Sequence, residues 1–269
     1  MDRYRLKNII IIILLLLNVF LGASLVSRET AVRSARSRTV QQLTALFAED
    51  DMELAPDAIS PELPPSSLTF SRDPVLEQKA AAFFLGDGLK QDTRSDSIYT
   101  AYTSALGTAQ FRSNGSFDIS VMPSEESAET LCRSFCTAFG FDAPVFTLNQ
   151  AGSGTAAAVY RYNGLPVYNC TVTFSIEAGR LRSVSGTLLP ATASAVNSEQ
   201  EALTAAAALI TFQQYRKESG ASASSVTGTH LCYELQSSAT SLSIAPAWCV
   251  ETDVAKYYVN CTTGTVRSS

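Results

Sequence analysis

Residues 155–187 read TAAAVYRYNGLPVYNCTVTFSIEAGRLRSVSGT. Two reverse-turn signals, Asn163-Gly164 and Ala178-Gly179, cut this stretch into three extended runs. Within the middle run Val167, Thr171, Thr173 and Ser175 alternate with Tyr168, Cys170, Val172, Phe174 and Ile176. One face is apolar and the other mixed, which is the signature of a half-buried antiparallel sheet. The reading gives strands at about 155–162, 166–176 and 180–189, with a further one at about 144–149.

Working outward, a helix precedes these strands. Ser124 is its expected cap, Glu125 and Glu126 suit its first turn, Leu131, Phe135, Ala138 and Phe139 mark its buried face, and Gly140 ends it. The same helix-then-strands order recurs on both sides. Upstream, Asp73-Pro74 starts a helix running to about Leu85, followed by strands near 97–103, 107–112 and 116–121 with an Asn114-Gly115 turn. Downstream, Ser198-Glu199-Gln200-Glu201 reads as a capping box for a helix over about 199–218, with strands near 226–236, 243–252 and 256–261. Repetition at about 70–75 residues is too long for a solenoid and predicts duplicated modules of an α+β fold. The expected divisions are 66–122, an N-terminal α+β unit, then 123–192 and 193–269.

The amino-terminal end reads differently. Residues 9–26 are IIIIILLLLNVFLGASLV, preceded by Arg3, Arg5 and Lys7. About 20 apolar residues cross a bilayer core. A signal peptide is the competing reading, but its small-x-small cleavage site is poorly formed at Leu21-Gly22-Ala23. The expectation is a transmembrane helix over 8–27 after a cytoplasmic tail of residues 1–7, in a single-pass protein of the cell membrane with an extracellular carboxyl-terminal part. Charges on the two flanks nearly cancel, so the orientation rests on the shortness of the tail. In the span, Asn18 and Gly22 share a face, and Ala23 and Ser27 make a small-xxx-small pair. All four are candidate contacts with a partner helix. Residues 28–65 are expected to form a juxtamembrane helix, stopped by the acids at 49–53, and a Pro-rich linker.

The 269 residues carry a formal charge of −5, 17% charged residues and a single histidine. An acidic chain argues against nucleic-acid binding. One histidine excludes a multi-histidine metal centre, and no CxxC pair supports zinc. The six cysteines, Cys132, Cys136, Cys170, Cys232, Cys249 and Cys261, permit disulfides but do not demand them. Their plainer reading is small buried hydrophobes.

The last unit closes with Pro246-Ala-Trp248-Cys-Val250, then Lys256-Tyr257-Tyr258-Val259-Asn260 and a turn at Gly264. This resembles the end of a PepSY-type domain, with Trp248, Tyr257, Tyr258 and Gly264 as its signature. Trp248 is expected to anchor the sheet to the helix, and Gly264 to supply a turn after the final strand. Residues 160–186 resemble the same module more loosely. With the basic tail and Ile-rich start, the chain resembles YycH/YycI-like regulators of a Gram-positive cell-wall-sensing two-component system. The resemblance implies an accessory protein that contacts a membrane histidine kinase, with a sister YycH-like protein as a possible further partner and the lipid bilayer met through the amino-terminal helix. It implies no catalytic residue, cofactor or metal. A PepSY-type inhibitor of an exported peptidase, a cell-envelope enzyme and a structural adaptor are the alternatives.

Other features read as structural. His230, Cys232 and Glu234 alternate onto one face of a strand, but side chains two apart lie about 6.6–7 Å from each other, too far for direct thiol activation. Gly152-Ser-Gly154 lacks the Lys-Ser/Thr of a phosphate loop. The acids at 49–53 lack calcium-loop spacing. Asn114, Asn169 and Asn260 each open an N-x-Ser/Thr triplet by chance. Tyr160, Tyr162, Tyr168, Tyr257 and Tyr258 suit either a sheet core or a partner surface.

Overall fold

The computed structural model describes residues 34–92, 99–196, 202–238 and 241–268. Its helices are α1 (34–48), α2 (Pro74–Leu85), α3 (Ala128–Phe139) and α4 (Ala205–Ser219). The strands are β1 (Glu53–Leu54), β2 (Leu68–Phe70), β3 (Lys90–Asp92), β4 (Tyr99–Ser104), β5 (Gly107–Arg112), β6 (Ser116–Val121), β7 (Val145–Leu148), β8 (Gly154–Tyr162), β9 (Leu165–Glu177), β10 (Arg180–Thr187), β11 (Ala193–Ala195), β12 (Ser225–Ser237), β13 (Leu242–Thr252), β14 (Lys256–Asn260) and β15 (Val266–Ser268).

All these strands join one sheet in the order β11-β2-β13-β12-β9-β10-β6-β5-β4-β3. Strands β7 and β8 extend from β9, β14 and β15 from β13, and β1 lies on β12. The expected chain of separate helix-plus-antiparallel-sheet modules behind a transmembrane helix is therefore corrected. The sheet is mixed, since β1 and β9 both meet β12 in parallel. Strand β2 sits between β11 and β13, and β6 pairs with β10. The physical reason is edge pairing: a separate module would leave main-chain donors and acceptors exposed at its rim, and here strands from other modules meet them.

The membrane expectation is corrected as well. Among the described residues no helix is long and apolar enough to cross a membrane. Helices α2, α3 and α4 have 12, 12 and 15 residues, short of the roughly 20 a crossing needs. Residues 8–27, with Asn18, Gly22, Ala23 and Ser27, lie outside the described residues.

Local signals set most element ends. Asp73 caps α2, its carboxylate accepting from the N–H groups of Val75 and Leu76 at 3.0 and 3.1 Å, and Gly86 closes the helix. Arg72 forks onto the buried Glu77 carboxylate at 2.6 and 2.9 Å and donates to Thr100 at 2.7 Å, tying α2 to β4. Helix α3 begins later than expected: its cap is Ser127, not Ser124, because Ala128, Cys132, Phe135 and Cys136 form the stripe that meets the sheet. Helix α4 begins at Ala205 on a Thr204 cap, so the expected start at 199 is corrected; residues 197–201 are not among those described. Asn163, Gly164, Ala178 and Gly179 all have positive φ, as two-residue hairpin turns require.

Alternation runs across the sheet as well as along it. On the helix-backed face one cross-strand row reads Phe146, Ala156, Phe174, Val184, Ile119, Ala109 and Tyr102. The next row, on the outer face, reads Thr147, Thr155, Ser175, Ser183, Ser120, Thr108 and Thr103. Helices α2 and α3 cover the apolar row, with Phe135 at the centre of an aromatic cluster that includes Phe84, Phe139 and Phe174. A second core lies under α1 and α4, where Leu43, Phe47, Leu209 and Phe212 meet Leu231, Trp248 and Val250. The β12–β13 hairpin serves both, since its Tyr233 and Ile244 belong to the first core.

Candidate functional site

The outer face of β12–β14 carries most of the chemistry-bearing side chains singled out above. Cross-strand register places His230 opposite Cys249, Cys249 opposite Tyr258, and Glu251 opposite Lys256. Beside them the sheet forks. Strand β9 meets β12 at a single pair, Val167 with Tyr233, then bulges through Tyr168, Asn169 and Cys170 before continuing between β8 and β10. The fork opens a cleft of about 370 Å³. The β12–β14 face forms one wall and Asp142, Arg161 and Pro166 the other.

The bulge turns Tyr168 outward. Its ring stacks on Tyr258 with centroids 3.6 Å apart and planes 5° apart. Its hydroxyl donates to Glu234 Oε1 at 3.2 Å. Glu234 is only 5% exposed, and it also accepts from Asn260 Nδ2 at 2.6 Å and pairs with Arg267 at 2.8 Å. A carboxylate taken out of water needs such partners. Asn169 fills the gap beside β12: its carboxamide accepts from Leu235 N–H at 2.6 Å and donates to Leu235 C=O at 2.9 Å, as a neighbouring strand would.

The rims are ion-paired. Lys256 reaches Glu251 at 2.6 Å, His230 Nε2 meets the same carboxylate at 3.1 Å, and Arg161 bonds Asp142. The Lys256 hydrogen bond holds the Glu251 carboxyl below its usual range, with His230 adding to the effect. The thiols are set against nucleophilic chemistry. Burial pushes Cys249 up to about 11 and Cys232 higher still, and Cys232 donates to Ala247 C=O at 3.3 Å. Both are therefore protonated thiols at neutral pH rather than the thiolates that attack. His230 faces Glu251, so the structure puts His230, Cys232 and Glu234 on one face, as expected, without making a catalytic pair.

No family model matches this chain, and no curated protein is similar to it. Among solved structures, an uncharacterized protein from Eubacterium rectale is similar at 12% identity, over 81% of this chain and 85% of that one, with a TM-score of 0.42. A likeness so distant carries nothing about function.

Trp248 is fully buried, and its Nε1–H donates to Leu203 C=O at 2.8 Å, fastening β13 to the segment before α4. Tyr257 turns inward against Phe212, whereas Tyr258 turns outward. Gly264 has φ 71 but lies in the β14–β15 turn; the final strand comes after it, which corrects its expected place. Tyr160 and Tyr162 pack in the first core. All six cysteines are free and buried. Gly154 opens β8 directly after the β7–β8 turn, paired with Leu148, and an added Cβ there would strike Thr147 C=O. Asp50 binds Lys217 and Gln213, and among the described residues no cluster could hold a metal. Asn169, Glu234's partners and the Asp142–Arg161 wall were not singled out as a site. Only the bulge and the fork unite them, and neither leaves a mark in local sequence.

Proposed function

We propose that this protein acts by contact, as an accessory protein that regulates a sensor histidine kinase. The cleft and the outer face of β12–β14 are the surface it offers. The observation carrying this reading is the Tyr168–Tyr258 stack, half-exposed at the mouth of a cleft whose thiols are protonated and whose charges are paired with one another. Tyrosine gives a rigid, partly polar contact and is enriched in interfaces. The kinase as partner comes from the sequence resemblance.

The test is a photo-crosslinking amino acid in place of the exposed Lys256 in the full chain, with identification of the adduct. The kinase is then assayed for autophosphorylation with and without added protein. The reading expects a kinase adduct, a changed phosphorylation rate, and loss of both in Tyr258→Ala. An exported peptidase as the adduct, or a kinase whose rate does not respond, overturns it.

A further inference from the structure

Helix α1 buries Leu43 and Phe47 in the second core and leaves one flank open. A groove of about 810 Å³ runs along that flank, between Pro56 and a floor of Ser37, Val40, Gln41, Thr44, Ala45 and Ala48. One rim is pinned to the body of the protein, where Arg36 donates to Ile59 C=O at 3.2 Å. The other rim carries Arg38 near the start of the helix and Glu49 just past its end. Glu49 N–H still bonds Ala45 C=O at 3.1 Å, so Glu49 keeps the helical register. From Arg38 to Glu49 the helix makes three turns and about 20°, so the two charges share one stripe about 16 Å apart, out of each other's reach. Both are exposed, and neither has a partner among the described residues.

A cation at one end of a stripe and an anion at the other, with a neutral groove between them, is complementary to itself turned end for end. A two-fold axis perpendicular to α1 sets this flank against the same flank of a second copy. Arg38 then comes within about 3 Å of level with the partner's Glu49, and Glu49 with the partner's Arg38. A parallel arrangement would instead set like charges side by side. The groove floor reads the same in both directions. Ser37 lies opposite the partner's Ala48, Val40 opposite the partner's Ala45, and Gln41 opposite the partner's Thr44, each contact occurring twice. Thr44 donates its hydroxyl to Val40 C=O at 2.9 Å and keeps acceptor capacity for the partner's Gln41 carboxamide. The alanines let the two helix axes come close.

We propose that the open flank of α1 docks a second copy of this chain, the two α1 helices lying antiparallel with Arg38 of each paired to Glu49 of the other. Helix α1 backs β12 and β13 from the inner face of the sheet, whereas the cleft at the fork lies on the outer face. The dimer therefore leaves both clefts open and offers a partner two of them.

The test is sedimentation velocity of the full chain over about 1–300 µM, alongside Arg38→Glu, Glu49→Arg and the two reversals combined. Two helices in contact make less than a standard interface, so the dimer should dissociate in about the micromolar range and weaken with added salt. Each single reversal replaces two attractions by two repulsions and should weaken the dimer about tenfold, while the combined reversal restores it to within about threefold. Both reversals suit the helix dipole, so α1 should stay folded, which thermal melts check. Ala45→Gln with Ala48→Gln carries the test if a reversal does not fold: it is neutral and helix-forming, fills the groove, and should weaken the dimer as much. A monomer at every concentration overturns the proposal. So does a dimer that the single reversals and the glutamine pair leave unchanged, or a combined reversal as weak as the single ones.

Discussion

The two ends of the sheet share one plan on the inside and oppose each other on the outside. Toward β4–β10, helices α2 and α3 cover an apolar row, and the opposite face carries a row of exposed hydroxyls flanked by surface ion pairs such as Arg112–Asp118 and Arg182–Glu177. Toward β12–β14, helices α1 and α4 cover Trp248 and Val250, and the opposite face carries stacked tyrosines, two thiols and a buried glutamate. Water solvates the first outer face without help from the fold. The second has been taken partly out of water, and its polar groups therefore need one another. That difference makes the second face costly to alter and the first cheap.

The largest effect is expected where the two ends are alike. Trp248→Ala should cost about 3–5 kcal/mol, and Phe135→Ala a similar amount, measured by urea unfolding. Amide exchange should show the Trp248 loss first around α4 and β13. If it appears equally around α3, the two cores unfold as one unit.

Next comes Glu234→Gln, expected to cost about 1–3 kcal/mol, because Arg267 and Asn260 lose a charged acceptor in a buried place. Urea unfolding without a shift in midpoint would show that the β12–β14 face is as loosely held as the hydroxyl row.

The cysteines sharpen the contrast between buried and reactive. At pH 8 Cys249, pushed up to about 11, should alkylate with iodoacetamide far more slowly than in denaturant. Rapid labelling of the folded chain would contradict its burial.

A smaller effect is expected from the Glu251–Lys256 pair. The Glu251 carboxyl titrates below its usual value near 4.5, so its contribution is present above that pH and fades as pH falls through the lowered folded value. It is partly exposed, so screening limits it to about 0.2–1 kcal/mol. The stability gap between the natural chain and Lys256→Gln should therefore close on going from pH 6 to pH 3, as read by thermal melts. The smallest effect belongs to the hydroxyl row: Thr108→Ala should change stability by less than about 0.5 kcal/mol.

Much of the local structure was legible. Strands β5 and β6 fall on 107–112 and 116–121 as read, and α2 runs from Pro74 to Leu85 between its Asp73 and Gly86 caps. These follow from turn residues, caps and period-two patterning, all of which act within a few residues. The start of α3 was misplaced by one turn because Ser124 and Ser127 can both cap, and only burial of Cys132 and Cys136 chooses between them. The candidate site was legible only as side chains. His230, Cys232 and Glu234 share a face by strand geometry, but the Tyr168 that binds Glu234 comes from 66 residues away.

The sequence by itself determined which segments extend, which coil, and which face of each is apolar, because those depend on backbone dihedrals and on side-chain spacing along one segment. It also determined that no multi-histidine site could exist, since it holds one histidine. Tertiary structure alone decided that β2 lies between β11 and β13, that β9 and β12 run parallel, and that Tyr168 stacks on Tyr258. Period-two patterning tells a strand which side to bury but not which strand to lie beside. The choice of neighbour is made by main-chain hydrogen bonds that every residue except proline can donate, and so it is settled only when all the edges compete at once.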